Sequence, residues 1–165
     1  MKLWKHTMIT AIAFFGITST VLYTSCEKDA CLELKCKNGG SCADGFCRCP
    51  TGYEGTECEI KAGTKFVGRF IGHYTCPGNI PLRDTVEIWM STEPDEVTFV
   101  DHSRITDTLV GTVTGTELIF KEQSSGDYRK YTKADINANR LTAYFEEVFD
   151  VSTGSKRTCN FIGFK

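Results

Sequence analysis

The sequence predicts a mainly β protein in two unequal parts: a small disulfide-rich unit, then an antiparallel β-domain closed or half-closed into a barrel. Three observations predict it. Six cysteines, Cys31, Cys36, Cys42, Cys47, Cys49 and Cys58, crowd into fewer than thirty residues with spacings C-x4-C-x5-C-x4-C-x-C-x8-C. From Ala62 onward, short β-prone runs are broken by Gly, Asn, Ser and Asp, with no sustained helical period. Two further cysteines, Cys76 and Cys159, fall in phase with large aromatics in the first and last of those runs.

The first residues have the pattern of a leader. Lys2, Lys5 and His6 precede an apolar stretch from Met8 to Leu22, the pattern of a signal segment over residues 1–25. An uncleaved span also fits on length, since an apolar helix crosses a bilayer with about 17–25 residues. The ninth cysteine, Cys26, is odd in the count and needs its own chemistry. Leu22-Tyr23-Thr24-Ser25-Cys26 resembles the lipobox of bacterial lipoproteins, in the looser version used by Bacteroidota, with Tyr23 departing from the aliphatic residue of the strict form. The resemblance implies cleavage before Cys26, a diacylglycerol (palmitate-type) lipid on its sulfur, and residues 26–30 as a tether. Several acyl chains hold a protein on a membrane, each buried CH2 adding about 0.8 kcal/mol.

Residues 31–60 cannot bury enough apolar surface to fold unaided and depend on covalent staples, each contributing about 2–4 kcal/mol. Such bridges require an oxidising compartment. The cysteine spacing, the Asn38-Gly39-Gly40 turn and the tail Cys47-Arg48-Cys49-Pro50-Thr51-Gly52-Tyr53-Glu54-Gly55 resemble an EGF-like module. Six cysteines alone allow fifteen pairings. The resemblance implies Cys31–Cys42, Cys36–Cys47 and Cys49–Cys58. Zinc is not expected, because no second well-separated knuckle accompanies the C-x-C and C-x4-C pairs. Nor is calcium: Glu27, Lys28, Asp29 and Ala30 miss the acidic order that calcium-binding modules of this kind place before the first cysteine.

Residues 62–165 form the β-domain, with eight strands predicted at 65–75, 84–91, 96–101, 106–114, 116–121, 127–136, 140–149 and 156–164. Turn chemistry separates them at Pro77-Gly78-Asn79, Thr114-Gly115-Thr116, Ser124-Ser125-Gly126-Asp127, Asn137-Ala138-Asn139 and Ser152-Thr153-Gly154. Alternation puts Phe66, Gly68, Phe70, Gly72, Tyr74 and Cys76 on one face, as it does Val86, Ile88 and Met90, and Cys159, Phe161 and Gly163. A Cys76–Cys159 bridge then joins the first strand to the eighth, as an eight-stranded antiparallel meander barrel or half-open barrel requires; a β-sandwich satisfies the same alternation. Phe70-Ile71-Gly72-His73-Tyr74 is similar to the opening of lipocalin-like small barrels, and to the β-domain that accompanies EGF-like modules in Bacteroidota lipoproteins.

Catalytic chemistry is not expected. His73 alternates to the outer face. Asp101-His102-Ser103 holds the residue types of a triad, but adjacent side chains of an extended chain diverge, so a polar turn at a strand end is expected. Glu146-Glu147 diverge likewise, which implies one edge residue and one solvated one rather than a glycosidase pair. No phosphate loop or nucleophile elbow occurs in the sequence, and no cofactor is implied. Losing Lys2 and Lys5 with the leader takes the net charge from −2 to about −4, with no basic stripe for nucleic acid. Asp84-Thr85-Val86 and Asp107-Thr108-Leu109 resemble the Bacteroidota O-glycosylation sequon, making Thr85 and Thr108 candidate acceptors. Trp89, out of phase with the core, is a candidate binding anchor unless the first module or a loop covers it.

These readings leave three functions: a tethered binding or adhesion module with a protein or glycan partner, a lipocalin-like carrier of a small apolar or glycan ligand, and an inhibitor or accessory subunit of an envelope enzyme. The expected location is the cell envelope, lipid-anchored, at the outer membrane.

Overall fold

The computed structural model describes residues 30–102, 108–121, 129–150 and 153–165. The N-terminal region is built from two small hairpins. Strands β1 (Ser41–Ala43) and β2 (Phe46–Arg48) are joined through Asp44 and Gly45, both with positive φ (54° and 79°), as a tight hairpin demands. Strands β3 (Tyr53–Glu54) and β4 (Ile60–Lys61) make the second. Cys58 is the one buried residue from position 30 to 61. With so little apolar burial, the cross-links hold this region together: Cys31–Cys42, Cys36–Cys47 and Cys49–Cys58 are bonded, the pairing that the resemblance implies.

A 3-10 turn (Ala62–Phe66) follows where the sequence predicted the start of a long strand. The backbone explains the difference. The N–H of Val67 donates back to the Thr64 carbonyl (3.2 Å), just after those of Ala62 and Gly63 donate to the carbonyls of Gly52 (2.8 Å) and Pro94 (3.0 Å), so residues 65–67 are turned instead of laddered. Phe66 instead turns inward, fully buried, and closes one end of the barrel.

The barrel strands are β5 (Gly68–Thr75), β6 (Leu82–Met90), β7 (Glu96–Asp101), β8 (Leu109–Thr114), β9 (Glu117–Phe120), β10 (Arg129–Asn137), β11 (Arg140–Asp150) and β12 (Ser155–Phe164). Each pairs antiparallel with the next, and β12 returns to β5, which makes a closed eight-stranded meander rather than a sandwich. Closure leaves the barrel no free sheet edge.

The closing seam depends on two opposed glycines. Gly72 pairs with Gly163, and a Cβ on Gly72 would stand 1.9 Å from the Ile162 carbonyl oxygen. Four places along, the register that sets Asn160 opposite Thr75 brings Cys159 opposite Cys76; the two are bonded with Cα atoms 4.4 Å apart, the spacing of directly opposed strand residues without mutual hydrogen bonds. The bridge lies inside the barrel, both cysteines buried.

Alternation places the core. Phe70, Tyr74, Val86, Ile88, Val97, Phe99, Leu118, Leu141, Phe145 and Phe161 all point inward and are buried. Their rings meet across the lumen, with centroids 4.9 Å apart for Phe99–Phe120, 4.8 Å for Phe99–Tyr131 and 5.0 Å for Tyr131–Phe145. Such tilted and edge-on contacts are the favourable arrangements for aromatic pairs. A bulge between Tyr131 and Lys133 shifts the phase of β10, so Tyr131 and Ala134 both face the lumen.

Candidate functional site

The two ends of the barrel differ in chemistry. The lower end is shut by the 3-10 turn, with Gly63 packed on Met90 and Val97. The N-terminal region is fastened there. Lys65 Nζ reaches Glu54 Oε2 (2.7 Å) and the Gly115 carbonyl (2.8 Å), and Lys165 Nζ donates to the carbonyls of Lys65 and Val67 (3.0 Å each).

The upper end, the mouth, is polar. Strand direction brings the ends of β7 and β11 and the starts of β6, β10 and β12 together there. Four side chains that alternate inward at these positions are Asp84, Asp101, Glu147 and Arg157. Asp101 is completely buried and accepts a hydrogen bond from the Tyr131 hydroxyl (2.6 Å). Glu147, 4% exposed, accepts from Arg157 Nε (2.9 Å) and Nη2 (2.5 Å) through one oxygen. That oxygen also lies 3.5 Å from Cys76 Sγ, which as half of a disulfide has no hydrogen to donate. Asp84 Oδ1 accepts the Thr85 N–H at 2.7 Å. Beside it an open depression is lined by Arg83, Asp84, Thr85 and His102.

Two sequence expectations are corrected by this arrangement. Glu146 and Glu147 were expected as an edge residue and a solvated one; Glu147 is instead interior and ion-paired. Asp101 was expected in a polar turn, and it is buried against Tyr131. The signal was present in the phase: Glu147 continues the inward series Leu141, Ala143 and Phe145, and Asp101 continues Val97 and Phe99. Polarity at the end of an apolar series does not mark the end of burial. Low-dielectric surroundings penalise an unpaired carboxylate, and the Tyr131 and Arg157 partners are what make the inward placement tolerable.

Cys76, Cys159 and Glu147 bring two sulfurs and a carboxylate oxygen within 4.8 Å of one another. Both sulfurs are consumed by the bridge, however, and the thiolate is the form that ligates a metal. The cluster is therefore a covalent lock with an adjacent ion pair.

The remaining predicted positions are dispersed. His73 is exposed on the outer wall, as alternation anticipates. His102 Nε2 sits 3.2 Å from Glu87 Oε2 on that same wall, and Ser103 lies outside the described residues. Thr85 is half-buried on the outer face of β6, its carbonyl accepting the His102 N–H (3.1 Å). Thr108 is exposed at the entrance to β8, while Asp107 of its sequon lies outside the described residues. Trp89 keeps 46% of its surface, opposite Thr98 on β7. Neither the N-terminal region nor a described loop covers it fully. Residues 1–29, which include Cys26 and the expected signal segment, lie outside the described residues.

No protein family, curated protein or solved structure matches this chain.

Proposed function

We propose that the chain is a lipid-tethered lipoprotein of the cell envelope, at the outer membrane, in which an EGF-like module and a side-chain-filled barrel act together as a binding or adhesion unit rather than as an enzyme. The observation that carries this reading is the packed lumen. Phe66, Phe70, Phe99, Phe145 and Phe161 are buried inside it, and an apolar ligand in the barrel would have to displace rings that already contact one another. Eight-stranded barrels are just wide enough for side chains to fill them. Recognition then falls to outer surfaces, among them the half-exposed indole of Trp89. The disulfides support an exported location.

One observation favours a narrower form of the carrier reading. The depression at Arg83, Asp84, Thr85 and His102 offers donors and acceptors of both signs. It suits a small polar ligand such as a glycan better than an apolar one.

Native mass spectrometry of the full protein mixed with envelope extract separates the two readings. The binding-module reading expects a bare monomer mass or a macromolecular complex that Trp89→Ala weakens. A bound small mass that Asp84→Asn or His102→Ala abolishes overturns it in favour of a mouth-bound ligand.

A further inference from the structure

The described chain opens at Ala30, and Ala30 packs against the tip of the β1–β2 hairpin: a Cβ on Gly45 would lie 3.1 Å from the Ala30 Cβ. Two large apolar side chains flank this contact. Phe46, the residue after Gly45, is 76% exposed, and Leu32, two residues after Ala30, is 79% exposed. In a region with a single buried residue, apolar side chains held outward have not been gathered into a core. They stand at the place where the chain from Cys26 arrives.

We propose that Phe46 and Leu32 form a membrane-contacting tip, which seats the disulfide-rich region on the lipid bilayer that carries Cys26. The inference rests on the lipidation reading given above. Chain length supplies the first argument. Five residue steps separate Cys26 from Cys31, and an extended chain covers at most about 3.3–3.6 Å per residue, so Cys31 lies within about 18 Å of the acyl boundary. A connection this short holds the tip at an effective concentration on the order of millimolar or above relative to the surface. Contacts too weak to recruit a free protein are populated under that constraint. Charge supplies the second argument. Lys35 and Arg48 are offset by Glu33 and Asp44 around the tip, so attraction to anionic headgroups contributes little and apolar contact with the interface has to serve.

Ile80 provides an internal contrast. It is 83% exposed, but it sits in the β5–β6 connection at the mouth. Eight residues of β5, about 26 Å of strand at 3.3 Å per residue, separate that connection from the lower end where the N-terminal region is fastened. An exposed apolar side chain there has no comparable reason to meet the bilayer.

The test uses the full protein extracted from membranes and reconstituted in vesicles of phosphatidylethanolamine with a minority of phosphatidylglycerol. In a Trp89→Phe background, Phe46→Trp, Leu32→Trp and Ile80→Trp are compared for quenching by phospholipids brominated on their acyl chains. Strong quenching and a blue-shifted emission are expected for Phe46→Trp and Leu32→Trp, and neither for Ile80→Trp. Equal and weak quenching at all three positions, in protein whose intact mass carries the lipid on Cys26, overturns the tip and leaves the anchor standing. An intact mass with an unmodified Cys26 thiol overturns the anchor and the tip together. Cys26→Ser with Phe46→Trp is expected to lose the quenching, since the contact depends on the tether; retained quenching would overturn the tethered form of the proposal.

Discussion

At the residue scale, polar groups inside the barrel are tolerated only because each has a partner. Tyr131→Phe removes the donor from fully buried Asp101 while preserving the ring contacts with Phe99, Phe120 and Phe145. Leaving a buried acceptor short of a bond costs about 1–3 kcal/mol, and a lowered urea midpoint with an unchanged slope is the expected result. A surface carboxylate behaves differently. Glu59 is held below the usual glutamate range by hydrogen bonds from backbone N–H groups, its own and that of Glu57, the latter at 2.8 Å. Because the folded pKa is depressed, whatever the bond contributes is present above the ordinary glutamate range. It is lost as the pH falls through the lowered value. The Glu57 amide proton should therefore titrate with a midpoint below that of a free glutamate in an NMR pH series, and Glu59→Gln should flatten its response. An unshifted midpoint would show that the bond does not persist in solution.

At the element scale, the β5–β12 seam decides whether the sheet closes. Gly72→Ala would drive a methyl group into the Ile162 carbonyl, and backbone cannot yield as a side-chain tip can. A loss of about 3 kcal/mol, at the upper end of typical overpacking costs, is the expected outcome in thermal unfolding, and a variant as stable as the parent would show that the seam relaxes. All eight barrel strands were legible in the sequence, because a closed meander keeps one face of every strand in the lumen and period-two alternation reports that directly. The same pattern put Cys76 and Cys159 on inner faces. What alternation could not report was where a strand begins. Residues 65–67 continue the periodic pattern of β5, yet Val67 bonds back to the Thr64 carbonyl in a turn, and the chain entering that turn is held by bonds from Ala62 and Gly63 to Gly52 and Pro94, partners remote in sequence. The polar mouth was missed for a related reason: Asp84, Asp101 and Glu147 keep the phase of the core, and their inward placement depends on partners such as Tyr131 and Arg157 that lie on other strands.

At the scale of the whole molecule, the barrel has an apolar, plugged lower end fastened to the disulfide-rich region and a polar mouth at the other. The connections β5–β6, β7–β8, β9–β10 and β11–β12 all leave from the mouth, while Trp89 sits on the outer wall near the lower end. The Cys76–Cys159 bond bears on all of these connections at once. Its 83-residue span contains every turn between the first barrel strand and the last. With respect to a protease, the barrel is a covalent circle: a single cut at any turn opens the circle but frees no fragment. Limited digestion should therefore leave one band without reductant and two with it, and a nicked barrel should keep its melting transition until the bridge is reduced. Wherever proteases meet this barrel, the first cut is survivable and only a second one releases a piece.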